Sequence, residues 1–163
     1  MTPDVQTIAK DRMRYTKDKF SSMLAILAIV FDCLYFVSIY QSDVGTFYYN
    51  WLIGVSIVYN LIFLLAAFLA SESVKNRRTG YSGILVVLGV IQIARIFILP
   101  AQAHAATVLV NGVETVVMDD KQYLYCVACL VISAVCCIVA AVVSAKNNKT
   151  LADYMKTLEN KAA

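Results

Sequence analysis

The chain has 163 residues, of which 60% are hydrophobic and only 15% charged, with a net charge of +3. Soluble domains are about 45–50% apolar and about 25% charged, and here the apolar excess falls in blocks, which excludes an ordinary soluble domain. The length suits a single domain. The basic residues flank apolar runs without a groove-like motif, which excludes nucleic acid as a partner.

In chain order, Thr2-Pro3-Asp4 reads as a helix start: a capping hydroxyl, Pro at the first helical position, and an acid near the positive end of the dipole. Val5, Ala9, Met13 and Phe20 then fall near one face. Residues 1–20 are therefore read as a cytoplasmic amphipathic helix running into the first span. It is either a plain basic extension or a surface for a partner or anionic lipid.

Crossing the roughly 30 Å hydrocarbon core takes about 20 predominantly apolar residues. Four windows meet that length: 21–40, 47–70, 81–100 and 123–145. The first is too long for a signal peptide and no small-x-small cleavage site follows, so it reads as a retained anchor. Links 41–46, 71–80 and 101–122 and a tail 146–163 complete the chain. Lys10, Arg12, Arg14, Lys17 and Lys19, then Lys75, Arg77 and Arg78, then Lys146, Lys149, Lys156 and Lys161 put twelve of the fourteen basic residues on one side. The other side holds Lys121 among Asp43, Glu114, Asp119 and Asp120. The positive-inside rule then places both termini in the cytoplasm. Tyr40, Phe47, Tyr48, Tyr49 and Trp51 cluster at the outer ends of the first two spans, where amphipathic rings favour the headgroups. The expected fold is an all-α integral membrane protein of the cell membrane. It is a four-transmembrane-helix bundle, N-in/C-in, with the lipid bilayer as its first partner.

The link 101–122 predicts a small extracellular β-hairpin between the third and fourth spans. Asn111-Gly112 stands between β-branched runs, and a type I′ turn needs positive φ at both central residues. Val110 should face Val113, Leu109 Glu114, and Val108 Thr115. A lone two-stranded hairpin is barely stable in water, so it needs helix ends or a partner to lean on. In the tail, Thr150 and Asp153 form a capping box ahead of Leu151, Tyr154, Met155 and Leu158, which predicts a separate short helix with a narrow apolar stripe.

Five cysteines, Cys33, Cys126, Cys129, Cys136 and Cys137, all lie inside spans. Cys126 and Cys129 form a C-x-x-C near the outer end of the fourth span, which can be a redox pair. A four-helix protein with this motif resembles vitamin K epoxide reductase. That family also has a shuttle pair of cysteines in the outer segment after its first span, and residues 41–46 contain none. The competing reading is packing. Cys129, Ser133, Cys137, Ala141 and Ala145 recur every four residues as a helix-packing seam, and small residues let helices approach closely in lipid.

Asp32 lies about 12 Å below the outer end of the first span and Arg95 about 7 Å below that of the third, at 1.5 Å per residue. With Asn60 and Gln92 they make an intramembrane polar cluster, and an Asp32–Arg95 ion pair is expected. Such residues are costly in lipid and mark structural clamps or transport pathways. For Arg95 alone, snorkelling to the headgroups is the alternative. His104 has no neighbours at metal spacing, and no phosphate loop or nucleophile–base arrangement occurs, so neither enzyme chemistry nor a cofactor is expected. The expected function is a non-catalytic accessory subunit bound to other integral membrane subunits of a larger complex. A transporter is the favoured complex; the ABC type is considered although no motif selects it. A small homo-oligomeric transporter or channel using the polar cluster is the alternative, and an exofacial thiol oxidoreductase using Cys126 and Cys129 comes third.

Overall fold

A computed structural model describes residues 5–40, 51–110 and 113–162. Expectations placed on Thr2-Pro3-Asp4, the link 41–46, Phe47, Tyr48, Tyr49 and the Asn111-Gly112 turn lie outside those residues. The chain is mostly helical: α1 Val5–Tyr15, α2 Lys19–Tyr40, α3 Trp51–Lys75, α4 Tyr81–Ile98, α5 Pro100–Ala105, strands β1 Thr107–Val110 and β2 Val113–Val116, and α6 Asp120–Ala162. Among the described residues, Lys19–Tyr40, Gly54–Lys75, Tyr81–Ala105 and Asp120–Asn160 are long and apolar enough to cross a membrane. That is the make-up of a multi-pass membrane protein.

The ends of these helices depart from the sequence reading. The N-terminal segment does not run on into the first span, because Asp18 caps α2. Its Oδ1 accepts the Ser21 backbone N–H at 3.2 Å and its Oδ2 the Ser21 hydroxyl at 3.0 Å. α3 continues past residue 70 because Ser71 has a partner there, donating to the Ser22 carbonyl at 3.1 Å. It closes at Arg77, whose φ of 56° lets Arg77 N–H reach Val74 O at 2.9 Å and Arg78 N–H reach Ser73 O at 3.0 Å. This is a Schellman closure made without glycine. Pro100 lacks an N–H and interrupts the third span, and α5 restarts with the proline in its first turn. The tail is not a separate helix. Thr150 donates back to Lys146 O at 2.9 Å, a mid-helix use of a residue that also suits a cap.

α6 packs chiefly on α2 and α4, while α3 rests mainly on α2 and less on α4. The α4–α6 approach is close at Gly89, where an added Cβ would lie 2.9 Å from Ile138 Cγ1 and 3.1 Å from Ala134 O. Two buried clusters fill the bundle. Ala25, Ala28, Phe63, Ala67, Leu85, Cys137 and their neighbours form one, and Tyr35, Ile39, Ala103, Met118, Cys126, Cys129 and Leu130 the other. α2, α4 and α6 each carry a polar residue between their contributions to the two, so a polar layer separates them, while α3 contributes to the first alone.

β1 and β2 pair antiparallel with Thr107 opposite Val116, Val108 opposite Thr115, Leu109 opposite Glu114 and Val110 opposite Val113. Val117 N–H donates to Ala106 O at 3.1 Å, and Met118 is fully buried in the second cluster. The base of the strand pair is thus anchored on helix ends. Beside it, His104 stacks on Tyr123 with centroids 4.5 Å apart.

Candidate functional site

Asp32, Asn60, Gln92 and Arg95 come from three helices and converge on one point. Arg95 Nη1 donates to Asp32 Oδ1 at 2.6 Å and to Gln92 Oε1 at 2.8 Å, and Nη2 donates to Asn60 Oδ1. Gln92 Nε2 donates to Asp32 Oδ1 at 2.8 Å and to Ser133 Oγ at 3.3 Å. Ser133 in turn donates to the Ala28 carbonyl at 2.9 Å, so α6 joins and all four long helices are tied together. Asp32 and Gln92 are 0% exposed, Asn60 2% and Arg95 6%. The Arg95 side chain points inward, not to a headgroup.

Two tyrosines complete the setting. The Arg95 guanidinium lies 4.8 Å from the Tyr35 ring centroid and 4.6 Å from that of Tyr59. A cation held between aromatic faces is stabilised most where water is absent. Not every polar atom is matched: Asp32 Oδ2, Asn60 Nδ2 and the Tyr59 hydroxyl are buried without a hydrogen-bond partner among the described residues.

A cavity of about 200 Å³ opens between α3 and α4 and reaches Arg95 and Tyr59. Val55, Ile91, Ala94 and Ile98 give it apolar walls. Arg95 supplies charge at its floor, Ser56 a hydroxyl and Tyr59 its ring. No protein family, characterised protein or solved structure matches this chain.

The remaining sequence candidates fall elsewhere. Cys129, Ser133, Cys137 and Ala141 are buried along α6, while Ala145 is exposed and the buried face runs on to Ser144. The reason is geometric: at about 100° per residue, sixteen residues carry a four-residue stripe about 160° round the helix. Cys126 and Cys129 are buried free thiols, with Cys126 Sγ 3.6 Å from Ser38 Oγ. Among the described residues no three His, Cys, Asp or Glu side chains gather as a metal site.

Sequence reasoning missed a second polar junction. Asp18 Oδ2 accepts from Asn147 at 3.0 Å, and Asp18 N–H donates to Lys75 O at 3.0 Å, which joins the start of α2, the end of α3 and α6. An acid two residues before the first apolar run was the signal for it.

Proposed function

We propose that the protein is a non-catalytic accessory subunit of a larger membrane complex, with a transporter as the favoured complex. One observation carries this reading: the polar groups within the spans are turned on one another across all four helices, as in a structural clamp. Two surfaces support it. α6 continues well beyond the length a bilayer requires, and its Leu151, Tyr154, Met155 and Leu158 are only half-buried. α1 leaves Ile8 and Tyr15 exposed. In this reading both termini are cytoplasmic, the strand pair is extracellular, and the chain resides in the cell membrane. The distribution of Lys and Arg supports that orientation.

Purification in mild detergent at native expression should recover the protein with another integral membrane protein encoded beside it. Recovery only as a monodisperse homo-oligomer, with the neighbours expressed, refutes the reading. For orientation, single cysteines at Lys75 and Lys156 should be shielded from an impermeant thiol reagent in intact cells, and one at Asn111 should react. The reverse pattern inverts the protein. A second reading, a small homo-oligomeric transporter, draws support from the cavity that reaches Arg95. It predicts transport by vesicles holding this chain alone.

A further inference from the structure

We propose that the cavity between α3 and α4 binds the head of a single-chain lipid-like amphiphile bearing an uncharged hydrogen-bond acceptor, such as a ketone or ester carbonyl. The site is built at its floor and open at its rim. Val55 and Ile98, 52% and 59% exposed, face outward from the bundle, so access is sideways from the acyl chains. Apolar walls suit a hydrocarbon chain, and about 200 Å³ holds a head and its first few carbons. The rest of the chain lies along the groove.

The floor selects the head. A guanidinium has five N–H donors, of which Asp32, Gln92 and Asn60 take three. The other two have no acceptor among the described side chains, and Arg95 itself lines the cavity, while the Tyr59 hydroxyl is closed off from it. An oxygen acceptor satisfies such donors, and a buried donor left unmatched is costly. Charge decides which acceptor. Asp32 already neutralises Arg95, so a second carboxylate would be desolvated without a free countercharge. A carbonyl avoids that cost. The inference holds whether the bundle is an accessory subunit or a transporter.

The test uses the full chain in phosphatidylcholine vesicles and a long-chain methyl ketone carrying a diazirine in its chain. Light should crosslink the probe to peptides of α3 and α4. The unlabelled ketone should suppress labelling, and hexadecane and palmitate should do so far less. Ala94→Phe fills the cavity wall and should lower labelling about tenfold or more. Val55→Trp narrows the rim from α3 and should also lower labelling about tenfold or more. The Val55 variant decides the matter if the Ala94 variant does not fold. Labelling unchanged in both variants overturns the site. Competition by hexadecane equal to that of the ketone reduces it to lipid contact, and stronger competition by palmitate overturns the uncharged head.

Discussion

Replacing Asp32 with alanine strips Arg95 of its carboxylate and leaves a permanently charged guanidinium inside the bundle. Truncating one partner of a buried ion pair costs about 3–5 kcal/mol. Gln92 Oε1, Asn60 Oδ1 and two tyrosine faces still hold the cation, which puts this variant at the low end, about 3 kcal/mol. Each kcal/mol moves the midpoint of a chain this size by about 2–4 °C, so Asp32→Ala should melt about 6–12 °C lower. Combining Asp32→Ala with Arg95→Leu removes both charges and leaves only neutral amides to be accommodated. The double variant should therefore melt above the Asp32→Ala single. Thermal unfolding in detergent, followed by circular dichroism, measures all four forms. A double variant that loses the sum of the two single losses shows no coupling and refutes the clamp.

Two further substitutions probe the packing and the second junction. Gly89→Ala pushes a methyl against Ile138 and the Ala134 carbonyl and should cost about 1–3 kcal/mol, read as a melting point about 2–12 °C lower; an unchanged midpoint would show that the α4–α6 seam is loose. Asp18→Ala removes the α2 cap and the partner of Asn147, with a cost of about 0.5–2 kcal/mol for the cap alone, and hydrogen exchange at Ser21 should quicken. Asp18→Asn keeps an accepting oxygen at the cap and should retain most of that protection. Equal exchange in both variants would show that the cap contributes nothing.

The spans were legible because about twenty apolar residues in a row admit few alternatives, and the cluster because a polar side chain stands out in such a run. Asp32, Asn60, Gln92 and Arg95 were each visible for that reason. Tyr35 and Tyr59 were not, since a tyrosine within a span reads as ordinary bulk until a cation is found between two of them. Gly89 was equally silent, because its role depends on which helix approaches it and a single chain sequence carries no record of that. Thr150 misled for a different reason. The same hydroxyl serves a helix start or bonds back to the carbonyl four residues earlier, and nothing in 146–149 forces a break.

α6 is one rod of 43 residues, about 64 Å long, against about 30 Å of hydrocarbon. From Ala145 to Ala162 about 25 Å of it stands clear of the membrane-crossing part, with no hinge between. A rigid rod tilting at the α4–α6 seam magnifies what happens there: Ala162 lies about 36 Å from Ile138, so a tilt of about 10° would swing the free end by about 6 Å. The Asn147–Asp18 bond is the restraint such a tilt would have to stretch before Leu158 moved.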